Sequence, residues 1–349
     1  MSQNEIYTLK KYVHIIINFI YIMLFVNTLQ AQDIHFSQYY NNPLQLNPAQ
    51  AGLFSEDIRF IGNSKLQWAN VPVNYTTFSA SYDHKHYPKQ AQKGVFATGG
   101  LLTYDRAGDS HMTTAHLAGN AAYVKRIGEL NLISIGLQVG FRHRGVNYDD
   151  LYFDRQFNGE KFNASASTGE KFANRSLFVA DFGIGINYRF QLKDKRTRFD
   201  FGAAMFHPHE PKAEFLAQNL RLPSRKTFYV LTNVKAGKKM DVLVYLAGQN
   251  QGVYNEFYIS NLYRFYLKQS KYETKAIQVG VQYRLAERAD AIIPTVEFLT
   301  DQYRLGINYD VTISRFQVAN KFRGGPEVSF QYLITNVKKV KSSKACPIF

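Results

Sequence analysis

Long segments in which apolar and polar side chains alternate strictly constrain the fold of this chain more than any other feature. In segment 133–142 every second residue is apolar, and the intervening residues are Ser, Gly, Gln and Arg. Segments 178–190, 277–285, 303–310 and 328–335 repeat the pattern. A period of two residues indicates extended strands with one apolar and one polar face. The first three runs span nine to thirteen residues, longer than about five or six residues of an ordinary globular strand.

Two β architectures produce such alternation, and the residues on the two faces distinguish them. A soluble sandwich has short strands, whereas a transmembrane barrel needs about ten residues per strand, apolar toward lipid and polar toward the lumen. Several apolar faces end on an aromatic residue, as at Phe141, Tyr188, Tyr283 and Tyr309, which is typical of interfacial girdles. The polar faces suit a wet lumen better than a second sheet. The pattern predicts an all-β fold, a transmembrane antiparallel β-barrel.

Composition excludes other classes of protein. The single Cys excludes a disulfide scaffold, and an aromatic content of 15% excludes a disordered chain. A mean hydropathy of -0.30 excludes a polytopic helical membrane protein. The net charge of +15 would suit nucleic-acid binding in a cytosolic protein. Because the chain begins with an export signal, described next, we expect no nucleic-acid partner.

The amino terminus has the composition of a secretory signal peptide. Lys10 and Lys11 precede an apolar run over 12–26, and the small residue Ala31 lies at a suitable cleavage point. A transmembrane anchor is the alternative, but the run is short and contains polar residues. The predicted divisions are a signal peptide over 1–31, an N-terminal periplasmic segment or plug over 32–57, an outer-membrane barrel over 58–336 and a basic C-terminal tail over 337–349.

Fourteen segments have the strand pattern, an even number as bacterial barrels require. They are 58–68, 73–83, 94–105, 114–126, 130–143, 178–190, 199–206, 227–236, 240–247, 256–267, 275–285, 290–299, 303–311 and 326–335. The alternation is weakest in 227–236 and 290–299. With both barrel ends in the periplasm, connections after odd-numbered strands face outward and should be longer. The two longest gaps, 144–177 and 207–226, do follow the fifth and seventh segments.

Two regions outside the strands are candidates for partner binding. The first lies in the longest outward connection, where acids and aromatics are dense: Tyr148, Asp149, Asp150, Tyr152, Phe153 and Asp154. It either presents these groups to a partner or folds into the lumen, with its acids paired to arginine. The second is the tail, which suits an acidic periplasmic partner or inner-leaflet lipid headgroups, or is a disordered remnant. Its cationic residues are Lys338, Lys339, Lys341 and Lys344.

Motifs for catalysis and metal binding are weak. Residues 207–210, His-Pro-His-Glu, offer three possible ligands, but no second cluster follows at a spacing typical of a metal site. The chain has no G-x-S-x-G, H-E-x-x-H or Gly-rich phosphate loop. We therefore expect no enzyme, no cofactor and no metal site.

Several stretches resemble one known family. Residues 33–52, which begin Asp33-Ile-His-Phe-Ser-Gln-Tyr-Tyr, are similar to the mature start of the PorP/SprF family, outer-membrane proteins of the Bacteroidetes type IX secretion system. The similarity extends over essentially all of 33–349, although 206–211 matches only loosely. Further similar stretches are 76–83, 102–109, 136–142, 151–154, 181–189 and 346–349.

The resemblance implies a fourteen-stranded barrel in contact with outer-membrane lipid, and a role in secretion or surface anchoring of cargo. Such cargo carries a type IX C-terminal signal domain and is often an adhesin used in gliding motility. Periplasmic components of the secretion system are the other implied partners, and the family has no known catalytic residues. A passive outer-membrane porin or solute channel is the alternative, because fourteen strands leave a lumen wider than side chains alone must fill.

Overall fold

The computed structural model describes most of the chain between residues 33 and 335. The described residues are 33–67, 75–88, 94–108, 110–148, 151–169, 175–194, 196–213, 221–270, 273–286, 288–314 and 323–335. Within these ranges the chain forms fourteen β-strands. They are β1 (Ile58–Gln67), β2 (Tyr75–His86), β3 (Val95–Ala107), β4 (Met112–Ile127), β5 (Asn131–Gly145), β6 (Ser176–Gln191), β7 (Arg198–Phe206), β8 (Arg225–Lys235), β9 (Met240–Gln251), β10 (Tyr254–Gln269), β11 (Thr274–Ala286), β12 (Arg288–Thr300), β13 (Tyr303–Thr312) and β14 (Arg323–Ile334).

The sheet closes on itself. Each strand pairs antiparallel with its neighbours along the chain, and β1 also pairs with β14, in a register that sets Ile58 opposite Ile334. Closure leaves no free strand edge, so backbone polar groups in the bilayer are satisfied between strands. The predicted fold class and strand count are confirmed, and the two weakest segments are largely contained in β8 and β12.

Several strands are longer than the alternation indicated. β4 and β10 have 16 residues each, whereas the pattern predicted 114–126 and 256–267. A tilted strand crosses the hydrocarbon core with about ten residues, and the antiparallel ladder continues beyond it. Residues beyond the hydrocarbon core do not face lipid, so apolar and polar side chains need not alternate in these parts of the strands. The sequence pattern therefore marks the embedded part of a strand, while hydrogen bonding between strands sets its ends.

The outward face of the barrel is apolar and exposed. On β5, Ile135, Leu137, Val139 and Phe141 are 53–58% exposed, while the residues between them are buried. Exposed apolar surface that continues around a whole sheet exceeds the patches of soluble monomers and fits contact with lipid. Within the described residues no helix is long and apolar enough to cross a membrane.

The residues that precede β1 fold inside the barrel. This luminal segment, 33–54, contains the short helix α1 (Pro43–Leu46) between two 3₁₀ turns, Tyr39–Asn41 and Pro48–Gln50. Proline at the first helical position favours such short pieces. Buried backbone without sheet partners needs other hydrogen-bonding groups, and inward side chains of the strands supply many of them. Fully buried members of the segment are Ser37, Gln38, Leu44, Asn47, Ala49 and Ala51.

The luminal segment runs along the barrel from one end to the other. The backbone N–H of Asp33 donates to Gln251 at 2.7 Å. Gln251 is the last residue of β9 and lies at the barrel end that carries the long connections. The backbone N–H of Gly52 donates to Asp83 at 2.9 Å, toward the end of β2 where the short turns lie. We call these the loop end and the turn end of the barrel. By the rule for bacterial barrels, the turn end faces the periplasm.

Two inward glycines allow the luminal segment to approach the wall closely. A Cβ atom at Gly185 of β6 would overlap Oδ1 of Asn47, and one at Gly136 of β5 would overlap the backbone of Pro48 and Ala49. Asn47 donates from this position to the carbonyl oxygen of Ile186 at 2.9 Å. The absence of these two side chains is therefore what makes room for the segment.

Candidate functional site

Six ionisable side chains meet in a buried cluster at the loop end of the lumen. They come from the luminal segment, β4, β5, β6, the start of the β7–β8 connection and β8, and strand alternation turns the strand residues inward. Members of this outer charge cluster are Asp33, His116, Arg142, Asp181, His207 and Arg225.

His207 lies at the centre of the outer charge cluster. Its Nε2 atom lies 2.6 Å from Oδ2 of Asp33, and its Nδ1 atom contacts Oδ1 of Asp181. Because both neighbours are carboxylates, both ring nitrogens must carry protons, and the imidazole is cationic. Arg142 bridges the same two carboxylates, at 2.9 Å from Asp33 and 3.1 Å from Asp181. The pairs join the first described residue of the luminal segment to the barrel wall.

Two members of this cluster, His207 and Asp33, favour each other's ionised form. Burial lowers the pKa of His207, but the charge of Asp33 and hydrogen bonds with Asp181 and Asp33 outweigh burial, so its pKa is raised above the usual value. Burial raises the pKa of Asp33, but Arg142 and His207 hold it well below the usual value. The ion pairs therefore persist at neutral pH.

A second buried network fixes Ser37 of the luminal segment. Its hydroxyl donates to Asp310 of β13 at 2.7 Å, and its backbone N–H donates to Glu327 of β14 at 2.7 Å. Asp310 also accepts from Arg284 at 2.7 Å and lies 3.4 Å from Lys65. Removing one partner of a buried ion pair typically costs about 3–5 kcal/mol, because the other charge is left uncompensated. Strands from both ends of the sequence, β1 near its start and β13 and β14 near its end, thus contribute to the network that holds the luminal segment.

The β5–β6 connection, predicted to bind a partner, forms a folded structure at the loop end. Tyr148 is buried, whereas Tyr152 is 76% exposed, and the ring of Tyr152 packs edge-on against Phe162 at 5.0 Å between centroids. Phe153 precedes a 3₁₀ turn, Asp154–Gln156, and its backbone N–H donates to Gln156 at 2.9 Å. Asp154 is exposed.

Two further aromatic residues of this connection were not predicted from the sequence. Phe157 and Phe162 pair through an isolated antiparallel bridge and are 54% and 45% exposed. Together with Tyr152 they form what we call the loop aromatic patch. These two residues do not belong to a periodic pattern. The only sequence feature that could have indicated them is the high density of aromatic residues in an outward connection.

The remaining candidate residues from the sequence do not belong to the loop aromatic patch. Asp149 and Asp150 lie outside the described residues, as do the tail lysines Lys338, Lys339, Lys341 and Lys344. His209 is exposed, with Nε2 at 2.9 Å from the carbonyl oxygen of Ala180, while His207 belongs to the outer charge cluster. Within the described ranges, no group of three or more His, Cys, Asp or Glu residues is arranged to hold a metal ion.

Solved structures similar to this chain include a bacterial transporter and a bacterial FadL homologue. The toluene transporter TbuX of Ralstonia pickettii is 10% identical, with 88% of this chain and 96% of that chain covered and a TM-score of 0.47. A FadL homologue of Pseudomonas aeruginosa is 9% identical, with 84% and 94% covered and a TM-score of 0.48. The comparison with curated proteins finds no match. The closed barrel with its lipid-facing surface defines an integral outer-membrane protein.

The family follows from the sequence model that matches residues 28–332, described as type IX secretion system membrane protein PorP/SprF. The chain belongs to this family. The resemblance found in residues 33–52 and in the later stretches up to residue 189 is thereby confirmed, and with it a location in the outer membrane as part of a secretion system; residues 346–349 lie outside the matched range.

Proposed function

We propose that this barrel is a non-enzymatic component of the Bacteroidetes type IX machinery that binds a secreted, adhesin-like protein by its C-terminal signal domain. Binding would hold the cargo for secretion or anchor it at the cell surface, as in gliding motility. Export through the signal peptide 1–31 belongs to the same proposal, as do periplasmic components of the system as further partners.

The loop aromatic patch is the observation that carries the cargo-binding proposal. Exposed aromatic side chains are costly in water and dominate the energetics of protein interfaces. Here they lie on a connection with internal hydrogen bonds, such as that from Gln156 to the carbonyl of Ala164 at 3.1 Å. A surface that is ordered before binding loses less conformational entropy when the partner docks.

Binding of a purified cargo signal domain to the barrel in detergent tests this proposal. We expect a triple variant, Tyr152→Ser, Phe157→Ser and Phe162→Ser, to bind about tenfold more weakly or worse, since interface aromatics are typical hot spots. Val253→Ser is the matched control, because Val253 is also exposed at the loop end. Equal affinity of the triple variant and the control would contradict the proposal.

The channel alternative predicts a different electrical behaviour. Cavities beside the luminal segment at the loop end have volumes of about 20 and 30 Å³, room for roughly one or two waters each. We therefore expect the unmodified protein to be nearly silent in planar-bilayer recordings. A stable conductance of porin size would favour the channel and contradict an anchor that is closed by its own chain.

A further inference from the structure

The turn end of the lumen contains a cavity of about 290 Å³ lined by arginines. Its walls are the luminal segment and the inward side chains at the periplasmic ends of several strands. The lining includes two carboxylates, Glu56 and Asp200. The lining arginines are Arg59, Arg189, Arg196, Arg198, Arg264 and Arg304.

Three of these arginines are paired with carboxylates at close range. Arg59 donates two hydrogen bonds to Asp83, at 2.8 and 2.7 Å, and Arg189 lies 2.6 Å from Asp200. Arg196 pairs with Asp241. In each case a carboxylate in the wall satisfies the guanidinium group, so these three arginines have a structural role.

The other three arginines are incompletely neutralised. Arg198 is 3.8 Å from Asp200, whose other oxygen is already bound by Arg189, and the Arg198 side chain is 38% exposed. Arg264 donates two hydrogen bonds to the neutral amide of Gln278 and forms no ion pair within the described part of the chain. Arg304 donates to the amide oxygen of Asn41 at 3.0 Å and lies 3.9 Å from a carboxylate oxygen of Glu297.

Two of the incompletely neutralised arginines influence each other. The charge of Arg264, like that of Arg189, acts on Arg198 against the attraction of Asp200. Arg198 and Arg264 line the same space as Asn233 of β8, which is opposite Arg198 in the strand register. The buried Oδ1 atom of Asn233 accepts no hydrogen bond within the described residues. The cavity lining thus holds more guanidinium groups than carboxylates, with the amide side chain of Asn233 beside them.

We propose that this cavity binds the carboxyl end of a polypeptide that enters from the periplasm. Arg198 and Arg264 would pair with the terminal carboxylate, for which the planar guanidinium group is the preferred partner. This proposal is independent of cargo binding at the loop end.

The position of the cavity favours a chain end over other anions. The strands around it are paired through this level, for example Arg198 with Asn233 and Arg189 with Asp200, so membrane lipid cannot enter sideways. A cavity of this size is at the lower limit for a small ligand, about 300 Å³, and suits a few terminal residues of an extended chain. Inorganic phosphate offers the arginines similar oxygen acceptors but is smaller than the cavity, so it fills less of the space.

Peptide binding to the purified full-length barrel in detergent tests the proposal. The probes are fluorescein-labelled pentaglycine with a free carboxyl end and the same peptide with an amidated end, measured by fluorescence polarisation. We expect amidation, or the double variant Arg198→Gln and Arg264→Gln, to weaken binding by about tenfold or more, as for loss of charge-assisted hydrogen bonds. The control variant Lys238→Gln and Lys239→Gln removes the same charge from a neighbouring turn and should change the affinity less than about twofold.

Each remaining outcome overturns the proposal. Equal binding of the free and amidated peptides would exclude recognition of the carboxylate, and equal losses in the two double variants would indicate unspecific attraction by positive charge. Displacement of the peptide by inorganic phosphate at concentrations near the peptide's own Kd would make the cavity a general anion site. Heat-modifiable gel migration of each variant verifies that the barrel is folded.

Discussion

Outward side chains near the middle of β5 are accommodated by lipid rather than by protein. Val139 is 55% exposed, and an arginine there would place a charge near the bilayer midplane at a cost of about 2–4 kcal/mol. We expect Val139→Arg to lower the fraction of protein that assembles, measured by heat-modifiable gel migration after insertion into lipid vesicles. Val139→Leu controls for side-chain volume, and equal assembly of the two variants would contradict the outward assignment.

Inward residues show where reasoning from the sequence stops. Alternation places Gln138 and Gln282 on the polar, inward faces of their strands, and these faces suggested a wet lumen. Both side chains are buried, and Gln138 donates to Asn120 at 2.9 Å and lies against the backbone of Leu44. Leu44 is 94 residues away in the chain. Period-two alternation gives the direction of a side chain but contains no information about such distant contacts.

The protonation state of His207 makes the stability of the luminal segment in the barrel depend on pH. Its raised pKa means that its stabilising contribution is complete below the pKa of an unfolded histidine, about 6.5, and is lost as the pH rises through the raised value. The groups facing it are the other five members of the outer charge cluster. We expect hydrogen-exchange protection of residues 33–37, corrected for intrinsic rates, to fall as the pH rises above about 6.5. In His207→Gln the decrease should be absent, and an equal decrease in both proteins would contradict this assignment.

At the scale of elements, the strands could be predicted and the luminal segment could not. Strands β5, β6 and β11 follow from alternation alone, because lipid and lumen impose opposite polarities on successive residues. The segment 33–54 has no such period, since protein surrounds it on all sides. Its position is set by inward groups of many strands, and the sequence offered only a choice between a periplasmic segment and a plug.

The fit between the luminal segment and the wall can be tested at one glycine. Gly185→Val would place side-chain atoms in the space of Asn47, and overpacking of this kind typically costs about 1–3 kcal/mol. We expect the barrel to remain folded while residues 33–54 become more accessible to added protease. Gly62→Val is the control, because a Cβ atom at Gly62 meets no atom within 4 Å. Equal protease sensitivity of the two variants would show that the close approach at Gly185 does not hold the segment.

At the scale of the molecule, the family resemblance and the strand count led to the same barrel independently. Neither the family resemblance nor the strand pattern predicted the outer charge cluster or the arginines of the turn-end cavity. His207 stood out only as a weak metal ligand, because its carboxylate partners Asp33 and Asp181 lie 174 and 26 residues away. The arginines of the turn-end cavity are scattered from Arg59 to Arg304, and only the closed register brings them together.

We predict that the basic tail adds positive charge on the periplasmic side of the turn end. β14 ends at Ile334, on the side of the short turns, and residues 337–349, which lie outside the described residues, add four lysines. We expect deletion of 337–349 to leave a heat-modifiable barrel but to weaken capture of an acidic periplasmic component of the secretion system in a pull-down. Raising the salt concentration from about 0.1 M to about 1 M shortens the screening length from about 10 Å to about 3 Å, so it should reproduce the deletion in the full-length protein. A variant with the four lysines replaced by glutamine separates charge from chain length. If the truncated barrel captures the partner and supports surface display as well as the full-length protein does, the tail is a solvated remnant.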